Sequence, residues 1–138
     1  MKIRLAAAMV AVLLLTVGAA SAQAGTNKPW LGVYDCYAYE YIGFNQYGLV
    51  YKHSSRLKKD GKYQQAFGRK DGKLTNPTSG KWAYKADKKK IVFKTGAFSN
   101  IFGKWNKPSD SYPKGTYTEY LKSDPKSTPG TCYPTKFK

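Results

Sequence analysis

Hydrophobic and polar residues alternate in short runs from residue 30 onward, and the runs are rich in Tyr, Phe, Val, Trp and Thr. Clusters of Gly, Asp, Asn and Pro separate these runs, which is the pattern of β-strands joined by turns. No stretch after the N-terminal region shows a helical period. Eight strands are predicted, at 30–40, 47–57, 62–67, 80–86, 90–95, 101–106, 115–122 and 131–135. The chain is therefore predicted to be all-β.

The tetrapeptide Lys-Asp-Gly-Lys occurs twice, at 59–62 and at 70–73. Asp-Gly favours the positive φ angles of a tight hairpin turn, and alternating residues flank both copies. Each copy is therefore predicted to form a hairpin turn, independently of any binding role.

A second repeat places an aromatic residue two positions after a glycine. It occurs at Gly32–Tyr34, Gly61–Tyr63, Gly80–Trp82, Gly103–Trp105 and Gly115–Tyr117. Residues i and i+2 share one face of a strand, so each glycine and its aromatic residue point the same way. We expect the glycines to relieve crowding inside the protein and the rings to fill the interior.

If each glycine and its aromatic residue point inward, alternate residues along every strand are assigned to an inner and an outer face. The predicted inner residues are Leu49, Tyr51, His53, Tyr63, Gln65, Phe67, Trp82, Tyr84, Ile91, Phe93, Trp105, Tyr117, Glu119 and Leu121. The predicted outer residues are Lys52, Arg56, Lys62, Lys81, Lys85, Lys90, Lys94 and Lys104. Every outer residue is cationic, and this separation supports the assigned phase.

The first 24 residues predict a secretory signal peptide. Lys2 and Arg4 precede the apolar run 5–17, and Ala-x-Ala cleavage patterns follow at 20–24. The run has about 13 residues, fewer than the roughly 20 that span a bilayer. Cleavage after Ala24 would leave 25–138 as a single domain, secreted or periplasmic.

Two cysteines, Cys36 and Cys132, lie near the two ends of that domain. An even number in an exported chain favours a disulfide. The bond would make the first and last strands neighbours, because bonded cysteines have Cα atoms within about 7 Å. A meander whose ends meet is a closed barrel of about eight strands. An open β-sandwich crossed by the disulfide is the alternative.

The chain resembles the calycin-type exported barrels, such as avidins and lipocalins. The resemblance rests on Trp30-Leu-Gly-Val-Tyr34 at the first strand and on the Gly-x-Trp and Gly-x-Tyr openings at Gly80 and Gly61. It implies a ligand-binding barrel without naming a ligand. The ligand residues of avidins have no counterparts that can be assigned, and the C-terminal helix of lipocalins is absent from the pattern.

The charge points to an anionic partner. Without Lys2 and Arg4, 22 basic residues face 8 acidic ones, a net charge of +14. Alternate turns of an antiparallel meander lie at the same end, so the turns at 58–61, 87–90 and 107–114 should meet. The predicted anion-binding residues are Lys58, Lys59, Lys62, Lys88, Lys89, Lys90, Lys107 and Lys114. Arg69, Lys70 and Lys73 of the other repeat should lie at the opposite end.

Such a lysine cluster attracts polyanions, including nucleic acid, lipopolysaccharide and other envelope polymers, or an anionic membrane surface. Lysine far outnumbers arginine, which suits diffuse attraction better than bidentate recognition of phosphate. Solubility alone is the alternative, since lysine is common at turns and sheet edges.

Two further hypotheses use the predicted interior. Its ligand candidates are Tyr34, Tyr63, Trp82, Tyr84, Trp105, Tyr117 and Glu119, which could hold a small planar ligand or sugar. A filled core is the alternative for these residues. The only histidine, His53, and Glu119 are the candidate acid–base pair of a secreted ribonuclease-like enzyme.

No sequence motif of hydrolases, nucleotide-binding proteins or metal-binding proteins supports catalysis. Two distant cysteines and one histidine do not form a metal site. The sequence therefore predicts a non-enzymatic binding protein without a metal or cofactor.

Overall fold

The computed structural model describes residues 27–135, so the predicted signal peptide lies outside the described residues. The strands are β1 (Val33–Gly43), β2 (Gln46–Leu57), β3 (Lys62–Ala66), β4 (Arg69–Lys70), β5 (Lys73–Leu74), β6 (Thr78–Lys85), β7 (Lys90–Phe93), β8 (Ile101–Asn106), β9 (Thr116–Leu121) and β10 (Gly130–Pro134). A single 3-10 turn, Ala86–Lys88, interrupts them. Within this range, no helix is long and apolar enough to cross a membrane.

Eight of these strands close a barrel. Every strand pair is antiparallel, and β1, β2, β3, β6, β7, β8, β9 and β10 follow one another around the wall in chain order. The last strand pairs with the first, where Cys36 lies opposite Cys132 and forms a disulfide with it. The predicted barrel and disulfide are confirmed, and the open-sandwich alternative is wrong.

Both Lys-Asp-Gly-Lys repeats form turns, as predicted. In the first, the backbone N–H of Lys58 donates to the carbonyl of Lys62, at 3.0 Å, and Gly61 has a φ of 73°. In the second, Asp71 and Gly72 have φ angles of 50° and 74° and join β4 to β5. The turn was predicted, but the two short strands beside it were not; this small β4–β5 hairpin leaves the barrel between β3 and β6.

Aromatic rings fill the barrel interior. Tyr34, Tyr63, Phe93 and Tyr117 are fully buried, and neighbouring ring centroids lie 5.0 to 6.5 Å apart. Phe98, from the loop 94–100, stacks on Tyr63 and covers one end of this cluster. The core therefore runs through the barrel and holds its wall from within.

Part of the predicted inner face is wrong because β2 contains a bulge. Cys36 pairs with His53, but Tyr37 pairs with Tyr51, so the register shifts by one residue at Lys52. An extra residue moves every following side chain to the other face. Tyr51 and Leu49, on the N-terminal side of the bulge, are turned to the other face, and both lie where β2 pairs only with β1, so they are exposed.

Phe67, also predicted to face inward, is 81% exposed because β3 ends at Ala66. The remaining predicted inner residues are buried or half-buried.

Beyond the barrel wall, β1 and β2 continue as a two-stranded ribbon, which we call the protruding ribbon (residues 38–51). β10 pairs with β1 only as far as Tyr37, and β3 pairs with β2 only from Ser54. The turn Phe44-Asn45 closes the ribbon.

Candidate functional site

The topology gathers three lysine-bearing connections at one end of the barrel. The loops 58–61, 86–89 and 107–115 all follow strands that run toward this end. The segment 27–32 lies there too, because it leads into the start of β1. We call it the lysine-rich end. The eight predicted anion-binding lysines all lie in these loops or at the adjoining strand ends, and all are exposed or half-exposed.

The strand register adds a feature that the sequence prediction did not include. Lysine lies directly opposite lysine in three consecutive strand pairs: Lys62 with Lys81, Lys85 with Lys90, and Lys90 with Lys104. We call these five residues the lysine band. It crosses the outer face of β3, β6, β7 and β8 beside the lysine-rich end. Like charges directly opposite each other disfavour strand pairing, so this register concentrates positive charge on one face without adding stability to the sheet.

Few acidic groups offset the charge of the lysine band. Within residues 27–135, its one ion pair joins Lys62 Nζ to Asp60 Oδ2 at 3.9 Å, with both side chains at least half exposed. Such a surface pair contributes little to stability. The other contacts are aromatic: Lys90 Nζ lies 4.3 Å from the ring centroid of Phe102, and Lys104 Nζ lies 5.2 Å from that of Tyr120. These rings orient the ammonium groups without neutralising them.

The lysine-rich end also has a shallow, open groove. Leu31, Gly32 and Leu57 line it together with the cations Arg56, Lys58 and Lys59. Nearby, Lys114 Nζ lies 4.0 Å from the ring centroid of Trp30, which packs on the core residue Tyr34. The groove and the lysine band are therefore open to a chain-like anion from outside the barrel.

The second Lys-Asp-Gly-Lys repeat lies at the other end, as the predicted topology requires. Its hairpin is fixed to β1 by Arg69, whose Nε and Nη2 donate to the two carboxylate oxygens of Asp35 at 2.7 and 2.5 Å. The hydrogen bonds from Arg69 to Asp35 raise the pKa of the guanidinium. Lys70 and Lys73 are exposed there, apart from the lysine-rich end.

The candidate acid–base residues do meet inside the barrel. Nε2 of His53 lies 3.1 Å from both carboxylate oxygens of Glu119. Both side chains are buried, and the ring of Phe98 lies against His53 with centroids 4.7 Å apart. Neither His53 nor Glu119 lines the groove at the lysine-rich end.

Glu119 also lies near the disulfide, with ligand-type atoms of Cys36, Cys132 and Glu119 within 4.8 Å of one another. The two sulfurs are bonded to each other, so neither offers a thiolate to a metal. The chemistry of this trio does not fit a metal site.

The interior ligand candidates contact one another. The ring of Tyr34 meets that of Tyr117 at 5.0 Å, and the ring of Tyr84 meets that of Trp105 at 6.1 Å. The Tyr34 hydroxyl donates to the carbonyl of Trp30, and the hydroxyls of Tyr117 and Ser55 share a hydrogen bond of 2.6 Å. These contacts are those of a packed core.

Burial raises the pKa of Tyr117 well above its usual value, and the neighbouring Glu119 carboxylate adds to the effect. Burial likewise raises the pKa of Tyr34. Both hydroxyls therefore stay protonated in the folded protein wherever an exposed tyrosine would begin to ionise.

Comparisons with family models, with curated proteins and with solved structures found no match to this chain. Its function must therefore be inferred from the geometry of the lysine-rich end and the lysine band. The alternation of residues along the strands does predict that Lys81, Lys85 and Lys104 face outward. The alternation does not predict which lysines lie opposite each other, because cross-strand register depends on loop lengths and bulges rather than on local pattern.

Proposed function

We propose that this protein is an exported, non-enzymatic binding protein that associates with anionic polymers or surfaces through the lysine-rich end and the lysine band. The observation that carries the proposal is the register that sets lysine opposite lysine in three consecutive strand pairs. The repulsion between these ammonium groups is relieved when phosphate or sulfate groups lie between them. An anion therefore gains more at this surface than at scattered lysines.

The arrangement suits a polymer better than a single small anion. The lysine band spans four strands, and neighbouring strands are about 4.8 Å apart. Lysines spread over that width match a row of phosphates or sulfates, and their single-point charges favour diffuse contact over a fixed geometry. The net charge of +14 for residues 25–138 adds a long-range attraction that speeds encounter with a polyanion.

The interior offers less support for the two other hypotheses. A small ligand would have to displace rings that already pack on each other, and a ribonuclease would need His53 to reach a substrate past Phe98. The eight-stranded antiparallel barrel is compatible with a calycin-type fold, and we propose relationship to avidins and lipocalins on the Gly-x-aromatic openings alone. That relationship would not by itself identify the ligand.

The test is the salt dependence of binding to a short DNA duplex and to heparin, followed by fluorescence anisotropy of the labelled polymer. We expect the logarithm of the association constant to fall linearly with the logarithm of salt concentration between about 50 and 200 mM, with a slope of about −0.9 for each DNA phosphate that the protein neutralises. A slope corresponding to several phosphates supports the proposal. Failure to bind either polymer at the lowest salt contradicts it.

A further inference from the structure

The protruding ribbon leaves large apolar side chains in solvent. Beyond the barrel, its two strands pair only with each other within the described residues. The exposed large side chains are Tyr39 (71%), Tyr41 (57%), Ile42 (56%), Phe44 (97%), Tyr47 (61%) and Leu49 (61%). A cluster of this size on one element usually marks a surface that meets a partner.

The apex of the ribbon combines a strained backbone conformation with an exposed aromatic side chain. Phe44 and Asn45 form a two-residue turn with φ angles of 51° and 57°. Asn and Gly are the usual residues at such angles, and a bulky side chain there is strained. The least favourable residue for the turn is thus also the most exposed aromatic side chain, and burial of Phe44 in a partner would explain both.

Apolar side chains lie at the apex of the ribbon and on both of its faces, most of them on one face. Rings of Tyr39 and Tyr41 contact the ring of Tyr47 on one face, with centroids 6.0 and 5.5 Å apart. On the other face Ile42 lies beside Gly48, and Glu40 forms an ion pair with Lys52 at 2.6 Å further from the apex. Phe44 occupies the apex. A protein docking on one face would leave the other face and the apex in water. A lipid bilayer encloses a protruding tip from every side.

The order of residue types along the ribbon also matches a bilayer surface. Phe44 and Ile42 come first, and the tyrosines follow, whose rings are apolar and whose hydroxyls remain hydrated, as in the aromatic belts of membrane proteins. Lys70 and Lys73 lie at the same end of the barrel, where they can attract anionic headgroups. The unpaired edges of both strands limit the depth, because unsatisfied backbone groups do not enter hydrocarbon.

We propose that the protruding ribbon inserts its tip into the headgroup region of an anionic lipid bilayer, with Phe44 and Ile42 at the acyl boundary and the tyrosines at the level of the headgroups. This site is separate from the lysine-rich end, and the proposal does not depend on polyanion binding there.

The test compares Phe44→Asn with the wild type in flotation with vesicles of phosphatidylcholine containing a minority of phosphatidylglycerol, at about 150 mM salt to screen long-range charge. Asn tolerates the positive φ of this turn, so the variant keeps the hairpin while it loses the apolar tip. We expect its vesicle affinity to fall roughly tenfold or more, from the apolar area that Phe44 no longer removes from water. The matched control, Phe67→Asn, makes the same change at a phenylalanine that is 81% exposed but lies outside the ribbon, and it should bind as the wild type does.

Three results would overturn the proposal: no vesicle binding by the wild type, equal binding by the wild type and Phe44→Asn, or equally weakened binding by both variants. A wild-type dimer in sedimentation velocity that Phe44→Asn converts to a monomer would assign the ribbon to self-association instead. Heparin affinity of Phe44→Asn should equal that of the wild type, so that failure of the ribbon proposal and failure of the polyanion proposal give different results.

Discussion

At the scale of single residues, glycines make room for the aromatic core. A Cβ at Gly80 would lie 2.3 Å from the carbonyl oxygen of Thr95 and 2.4 Å from the ring of Tyr63. Tyr63 belongs to β3, directly opposite Gly80 on β6. The rings over Gly80 and Gly103 thus come from neighbouring strands, Tyr117 lying over Gly103, whereas the sequence repeat suggests the residue two positions along.

This packing predicts the effect of Gly80→Ala. The new methyl group would clash with a backbone oxygen and with a fully buried ring, so we expect the free energy of unfolding to fall by about 1–3 kcal/mol. Gly68→Ala is the matched control, because a Cβ there meets nothing within 4 Å and the glycine has no positive φ. Urea denaturation measures both. Equal stability of the two variants would contradict the packing described for Gly80.

Tyr117 predicts how stability depends on alkaline pH. Its pKa is raised in the folded protein, whereas a tyrosine in the unfolded chain has a pKa of about 10. Above about pH 10 the unfolded chain therefore binds fewer protons than the folded one, and stability falls as pH rises; below that pH the contribution is complete. In urea denaturation from about pH 9 to 11.5, Tyr117→Phe should lose less stability, by about 1.4 kcal/mol per pH unit. Identical slopes for the variant and the wild type would contradict the raised pKa, because Tyr117 would then release its proton equally in the folded and unfolded states.

At the scale of the elements, the strands and tight turns could be predicted because their signals are local. Alternating residues mark all eight barrel strands, and Asp-Gly marks two turns. The bulge at Lys52 could not be predicted, since no residue type there requires one, and it reverses the faces of Tyr51 and Leu49. The ribbon escapes prediction for another reason: its exposure depends on where the neighbouring strands stop, since β10 pairs with β1 only as far as Tyr37 and β3 pairs with β2 only from Ser54.

The closing strand β10 gives a prediction at this scale. It has five residues, ends in Pro134, and follows a loop with Pro125 and Pro129. Without the disulfide we expect β10 to detach first and the free energy of unfolding to fall by roughly 2–5 kcal/mol. Limited trypsin digestion of Cys132→Ser should cut first at Lys122 and Lys126, and reductant should sensitise the wild type but not the variant. If residues beyond Lys122 stay as protected as before, the disulfide is not what holds β10 in place.

At the scale of the whole molecule, the sequence predicts the barrel and the gathering of lysines at one end, because an antiparallel meander determines where alternate turns lie. It does not predict the lysine band, which depends on the register of four strands. The same topology separates two surfaces: cations with few acidic partners dominate one end, and an aromatic ribbon extends from the other. The two surfaces can therefore be altered independently.

The most direct test of the central claim compares two variants of equal charge. In one, Lys85, Lys90 and Lys104 of the lysine band are changed to Gln; in the other, Lys73, Lys122 and Lys126 at the opposite end are changed to Gln, a set that contains no cross-strand lysine pair. The measurement is the slope of log association constant against log salt concentration on a DNA duplex. We predict that the slope becomes shallower by roughly 2 to 3 for the band variant, about 0.9 for each phosphate that is no longer neutralised, and stays unchanged for the other. Equal changes in the two variants would contradict the claim, because binding would then follow net charge and not the lysine band.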